Sequence, residues 1–144
     1  MLVFQANNAL KLKQLNPPRL GRALRLQRDV YEGYLKLNGE EHEETLRAAN
    51  NYASSLLTTD RFGEAKSLLR KMIAVAQRVL GENKDLTLRM RLGYAAAIYR
   101  DPGATLEDLR EAVTSFEDLE RTARRVFRGA NPITEGIERS LELA

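Results

Sequence analysis

Apolar positions along the chain recur at spacings of three and four residues, the periodicity of one face of an α-helix. The first stripe consists of Leu46, Ala49, Tyr52, Ala53, Leu56 and Leu57, and the next consists of Phe62, Ala65, Leu68, Leu69, Met72, Ala76 and Val79. Thr58, Thr59 and Asp60 interrupt the pattern between the two stripes. The spacing therefore predicts two amphipathic helices joined by a short turn.

The same pattern returns along the chain with a period of 42 residues. Residues 39–47 read GEEHEETLR and residues 81–89 read GENKDLTLR. The same offset relates residues 19–23, RLGRA, to residues 61–65, RFGEA. A fixed period of this length is typical of a solenoid, whose unit is a supersecondary element that cannot bury its apolar face alone.

Each period is predicted to be a pair of antiparallel helices, so the expected fold class is an all-α solenoid. We place three units at about residues 1–38, 39–80 and 81–128, followed by a terminal helix at 132–143. This division predicts seven helices in a single domain spanning residues 1–144. No segment shows the alternation expected of a strand.

Turn-forming residues separate the predicted helices. Gly39 and Gly81 follow the last apolar positions of their helices, where a left-handed residue commonly ends a helix. The turn that holds Pro102 and Gly103 is five residues longer than its counterpart in the preceding unit. Residues 105–108, TLED, then read as a capping box that starts the next helix. Further turns are expected near Pro17, Asp60 and Pro132.

Composition narrows the class of protein. The absence of Cys excludes disulfides, zinc–thiolate sites and thiol nucleophiles, and suits a reducing compartment. No apolar run approaches the length needed to span a bilayer, so we expect a soluble, cytoplasmic protein without a membrane partner. Residues 1–39 carry a net charge of +5 within an overall +3. Such an acid-poor start also occurs in transit peptides, but those are Ser-rich, whereas the first Ser here is Ser54.

Catalytic chemistry finds no support in the sequence. His42 is the only histidine, and the second His of a His-Glu-x-x-His metal motif is missing. No Ser-His-Asp arrangement can be assembled around it, and Gly-rich phosphate loops are absent. We therefore predict a protein that is not an enzyme and has no cofactor or metal site, with His42 at the surface start of a helix.

A basic series in the first unit raises the alternative of nucleic-acid binding. It consists of Arg19, Arg22, Arg25 and Arg28. A spacing of three residues drifts by about 60° per step around a helix, so these side chains spread over a broad face. No aromatic residues interleave with them as stacking platforms for bases. Nucleic-acid binding is therefore the third hypothesis, after protein–protein interaction and a structural role in an assembly.

The repeat resembles a known family over nearly the whole chain, most strongly at residues 39–95. It has Gly-x-x-His-x-x-Thr-Leu, then Asn-Asn-x-Ala, then Arg-Phe-Gly-Glu-Ala and a final Leu-Gly. This pattern is similar to the tetratricopeptide repeats of kinesin light chains and their relatives. The family's Pro after the His is replaced by Glu43 and Asp85, and the third unit has Leu92-Gly93 in place of the Asn pair.

The resemblance implies a right-handed superhelix in which the first helix of each pair lines a concave groove for partner peptides. Carried over by position, the groove residues are Phe4, Asn7, Lys11, Gln14, Arg47, Asn50, Ser54, Arg89, Leu92, Ala96 and Tyr99. Asn can donate to and accept from a peptide backbone, and Arg can bind a carboxylate bidentately. The alternative is that Arg47 pairs with Glu43, and Arg89 with Asp85, at i,i+4.

We expect a non-catalytic protein–protein interaction module whose concave groove binds a partner peptide or protein. The alternative is a structural subunit of a large assembly, which would expose apolar patches that only a partner covers. The N-terminal helix starts without a capping residue, which suggests that this end contacts a partner, upstream repeats or another copy of the chain.

Overall fold

The structure, a computed structural model, describes residues 17–127 and 132–143, with side chains for 19–127 and 136–142. The described residues form six helices and no strand. They are α1 (Pro17–Asn38), α2 (Glu43–Thr58), α3 (Phe62–Leu80), α4 (Asp85–Arg100), α5 (Leu106–Phe127) and α6 (Pro132–Leu143). The predicted all-α class is therefore confirmed, and the helix predicted before Pro17 lies outside the described residues.

Helix α2 begins where the sequence supplies both a cap and negative charge. His42 is the N-cap residue, and its Nδ1 accepts a hydrogen bond from the backbone N–H of Glu44 at 3.2 Å. Glu43 and Glu44 occupy the first turn, where carboxylates interact favourably with the positive end of the helix dipole. The only histidine therefore has a structural role at a helix start.

Residues with positive φ follow α1, α2 and α3. Gly39 has φ 81° after α1 and Gly81 has φ 94° after α3, as their positions in the sequence predict. The Gly81 N–H donates to the carbonyls of Ala76 and Gln77. Asp60 reaches φ 59° without being glycine, and its N–H donates to the Leu57 carbonyl at 3.1 Å. The α2–α3 turn is therefore closed by hydrogen bonds to the last turn of α2.

The predicted capping box forms at the start of α5. The Thr105 backbone N–H donates to Asp108 Oδ2 at 2.9 Å, and the Asp108 N–H donates to Thr105 Oγ1 at 3.1 Å. The longer turn before it is tied to α3, because Lys66 Nζ lies 3.2 Å from Asp101 Oδ2. The Gly103 N–H donates to Asp101 Oδ1 at 2.9 Å, which closes the turn itself.

The helices pack in two layers. α2 lies between α1 and α3, and α4 lies between α3 and α5. The backbone of α2 also approaches that of α4, and α4 approaches α6. Within the described residues α1 and α3 meet through side chains, with Tyr31 Oη 3.9 Å from Met72 Sδ, while their backbones stay apart, as do those of α3 and α5. One layer, α2, α4 and α6, is therefore close-packed, and the other, α1, α3 and α5, is spread apart. This difference in spacing curves the molecule toward the close-packed layer.

The core continues from helix to helix instead of forming around one centre. Its first cluster, joining α1 to α4, includes Tyr31, Leu46, Ala49, Ala53, Leu69, Met72 and Met90. A second cluster at the turn edge includes Leu24, Leu56, Phe62, Ala65 and Ala97. The third, joining α4 to α6, includes Leu88, Ala95, Phe116, Leu119 and Ile137. Each helix pair buries its apolar face against the next, as a solenoid requires.

Candidate partner-binding face

The inner face of the molecule is formed by one stripe of half-buried and exposed residues on each of α2 and α4. On α2 this stripe consists of Glu43, Arg47, Asn51, Ser54 and Thr58, and on α4 it consists of Asp85, Arg89, Gly93, Ala96 and Arg100. The spacing of three and four residues places each set on one side of its helix. We call these two stripes together the inner face.

Two arginines occupy equivalent positions on the inner face. Arg47 Nη2 lies 3.2 Å from Glu43 Oε1, and Arg89 Nε lies 2.8 Å from Asp85 Oδ2. Both i,i+4 ion pairs expected from the sequence therefore form. The Arg47 side chain is 26% exposed, whereas that of Arg89 is only 9% exposed. Arg47 is thus the more accessible of the two guanidinium groups.

The electrostatics of Arg89 reflect its burial. Loss of solvent lowers the pKa of Arg89, while the charge of Asp85 and its hydrogen bond raise it, and the nearby charge of Arg47 lowers it further. Asp85 Oδ1 is itself buried without a hydrogen-bond partner among the described residues. The Arg89–Asp85 pair is therefore fixed on the inner face, with its guanidinium more buried than that of Arg47.

The other predicted groove residues are placed less uniformly. Asn50 is 6% exposed and belongs to the buried set, whereas the next residue, Asn51, is half-buried and lies on the inner face. The half-buried Ser54 hydroxyl donates to the Asn50 carbonyl at 3.0 Å. Periodicity could not separate the two asparagines, because they follow Arg47 at three and four residues and both spacings fit one helix face.

The remaining predicted groove residues lie partly under the terminal helix and partly outside the described residues. Leu92 and Ala96 are half-buried, and Leu92 Cδ2 lies 3.7 Å from where a Cβ on Gly136 of α6 would stand. The terminal helix therefore covers this part of α4. Phe4, Asn7, Lys11 and Gln14 lie outside the described residues.

Tyr99 lies at the turn edge of the molecule, beside a cleft that the sequence pattern did not predict. The rings of Tyr99 and Phe116 pack edge to face, with their centres 6.3 Å apart. The cleft beside it is bordered by Phe62, Arg100 and Pro102, and the Arg100 Cζ lies 5.6 Å from the centre of the Phe62 ring. The five-residue insertion is the sequence feature located here, because Asp101, Pro102 and Ala104 of the longer turn line the cleft.

Two further properties concern the described residues only. No group of three His, Cys, Asp or Glu side chains in residues 19–127 and 136–142 is arranged to hold a metal ion. No helix in the described part of the chain is both long and apolar enough to cross a membrane.

The fold and the inner face define an α-solenoid of antiparallel helix pairs, a class of protein that binds partners along its extended surfaces. Residues 45–83 match the family model described as tetratricopeptide repeat. The match begins in the first turn of α2 and covers the rest of that helix, α3 and the loop that follows. No curated protein and no solved structure gives a significant match to the chain.

Proposed function

We propose that this chain is a protein–protein interaction module that binds an extended partner segment along the inner face. The observation that carries the proposal is the repeated Arg–carboxylate pair, Arg47 with Glu43 and Arg89 with Asp85, on the concave side of the solenoid. Kinesin-light-chain-like repeats are the subtype that we propose, because the 42-residue period and the Gly-x-x-His-x-x-Thr-Leu segment both fit it. We further propose a cytoplasmic location, which suits a sequence without cysteine.

The chemistry of recognition follows from the difference between the two arginines. The Arg47–Glu43 pair is solvent-accessible, and such pairs contribute little to stability, so Arg47 can exchange Glu43 for a carboxylate of the partner. Arg89 is held by Asp85 and supplies a fixed guanidinium beside it. Asn51 and Ser54 extend the same stripe with groups that hydrogen-bond to a peptide backbone. The predicted groove residues Asn7 and Lys11 lie outside the described residues, while Asn50 is buried and Tyr99 lies at the turn edge, so these four are not part of the inner face defined above.

The test is a selection of peptide ligands from a random display library with the whole chain as bait. We expect selected peptides to carry carboxylates, and the double variant Arg47→Gln with Asn51→Ala to bind them about tenfold more weakly, because charge-assisted hydrogen bonds are lost. Arg78→Gln is the matched control, since Arg78 is exposed and pairs with Glu41 away from the inner face. Unchanged affinity in the double variant would move the site elsewhere on the molecule.

A second candidate function, a structural subunit of a larger assembly, is favoured by an apolar surface on α1. Leu26 is 63% exposed and Leu37 is 82% exposed, with Val30 and Tyr34 on the same side of the helix. The 42-residue offset relates Leu26, Val30 and Tyr34 to Leu68, Met72 and Ala76 of α3, which are half-buried or buried. Positions that α3 covers with its neighbours are therefore open on α1 within the described part of the chain. Contiguous apolar surface of this kind marks contact sites.

A further inference from the structure

The outer side of the molecule carries a groove between α3 and α5. The backbones of these two helices both approach α4 but not each other, so Arg91 and Tyr94 of α4 form the floor of the gap. We define the outer groove by the residues that line its cavity of about 220 Å³, namely Arg70, Ile73, Arg91, Tyr94, Ser115 and Leu119. A second, more polar cleft continues from it and shares Arg91.

The two arginines of the outer groove differ in their partners. Arg91 Nη2 lies 2.9 Å from Asp118 Oδ2, so its charge is balanced by a carboxylate. Arg70 Nη2 instead donates to the neutral Tyr94 hydroxyl at 3.0 Å, and its Cζ lies 5.8 Å from the centre of the Tyr94 ring. Within the described residues Arg70 forms no ion pair, and Glu111 exerts only a weaker attraction. Arg70 is thus a guanidinium that contacts Tyr94 and has no carboxylate partner among the described residues.

The wall beside Arg70 is apolar. Leu119 belongs to the core of α4, α5 and α6, while Ile73 and the ring of Tyr94 are half-buried and border the cavity. The cavity is therefore suited to one aliphatic side chain, and burial of such a side chain is favourable by roughly 1.5–3 kcal/mol when complete. An aliphatic side chain placed there would hold the neighbouring residue of its peptide near Arg70.

We propose that the outer groove binds a peptide segment in which an aliphatic side chain stands next to a carboxylate. The aliphatic side chain fills the cavity between Ile73 and Leu119, and the carboxylate accepts hydrogen bonds from Arg70. No existing ion pair has to break, since the present partner of Arg70 is the neutral Tyr94 hydroxyl. The carboxylate can be a chain terminus or an Asp side chain, because both present the same two oxygens. This site is separate from the inner face and does not depend on it.

The proposal is tested by NMR titration of the isotopically labelled whole chain with three peptides. The first is acetyl-Gly-Ser-Gly-Ser-Leu with a free C-terminus, the second is acetyl-Ser-Asp-Leu-Ser-amide, and the third is the first peptide with an amidated C-terminus. We expect the first or the second to shift the amide signals of Tyr94 and Ser115, and the amidated peptide to bind about tenfold more weakly. Preference for the first identifies a chain terminus as the carboxylate, and preference for the second identifies a side chain.

Variants separate this site from a general charge effect. Arg70→Gln keeps most of the stem of an exposed side chain, so the fold is preserved, and it should weaken binding of the preferred peptide about tenfold. Arg78→Gln, on the same helix outside the outer groove, should leave the affinity unchanged. The proposal is overturned if neither carboxylate peptide binds, if the amidated peptide binds equally well, or if Arg70→Gln has no effect. Arg47→Gln, on the inner face, should not alter this binding. Each of the two proposed sites can therefore be contradicted without affecting the other.

Discussion

At the scale of single residues, small side chains set how closely the helices approach. Ala53, Ala65 and Ala95 are at most 1% exposed, in keeping with their expected positions at helix contacts. Gly93 extends the same principle, because a Cβ added to it would lie 3.3 Å from Leu69 Cδ1. Gly93 takes the place of Asn51 in the third unit, and a larger residue there would require the Leu69 side chain to shift.

Ala65→Leu should destabilise the protein by about 1–3 kcal/mol, because extra methylene groups overpack a filled contact. Denaturant melts measure the free energy of unfolding of the variant and the parent. Ala74→Leu is the matched control, since Ala74 is exposed on the same helix and its replacement should change stability by less than about 0.5 kcal/mol. Identical melts for Ala65→Leu and the parent would place Ala65 outside a helix contact.

At the scale of helices, local chemistry explains why the elements could be predicted. Three features act within a few residues of sequence, so the sequence predicts each of them. They are the glycines after α1 and α3, the capping box at the start of α5 and the apolar stripes of the helices. The sequence did not predict the burial of Asn50 and Arg89, because their burial depends on how neighbouring helices pack on α2 and α4. The sequence did not predict the outer groove for the same reason, since the groove lies between α3 and α5, whose backbones are not in contact.

The cap of α5 should make stability depend on acid. Hydrogen bonds from Thr105, first from its backbone N–H and then from its side chain, lower the pKa of Asp108 in the folded protein. A carboxyl group with a lowered folded pKa stabilises the fold above its unfolded pKa of about 3.9, and this contribution is lost as pH falls through the folded pKa. Asp108→Asn should therefore be less stable than the parent at pH 7, with the difference shrinking below about pH 4.

Denaturant midpoints measured across this pH range check the expectation for the α5 cap. Glu107→Gln serves as the control, because Glu107 lies in the same first turn while Asp108 is the residue bonded to Thr105. The control should show a smaller pH-dependent difference from the parent. A constant difference between Asp108→Asn and the parent at all pH values would show that the carboxylate charge does not stabilise the cap.

At the scale of the whole molecule, a solenoid has ends that its own repeat cannot cover. Within the described residues, α1 exposes such an uncovered surface. It is an apolar stripe that consists of Leu26, Val30, Tyr34 and Leu37. The α3 counterparts of its first three residues lie half-buried or buried among neighbouring helices, so the same packing needs a further surface on α1. Arg19, Arg22, Arg25 and Arg28 are exposed on the same helix, which gives any covering partner a basic surface to contact.

We expect the chain to associate in solution through the apolar stripe of α1. Light scattering and sedimentation over a range of concentrations should show a mass that rises above that of a monomer. The double variant Leu26→Lys with Leu37→Lys should remain monomeric, because charges placed in a contact must be desolvated and repel one another. Leu106→Lys is the matched control, since Leu106 is 65% exposed on α5, away from the stripe, and its change should leave association intact. A parent chain that stays monomeric at high concentration would contradict self-association and leave the stripe to a different partner or to the chain itself.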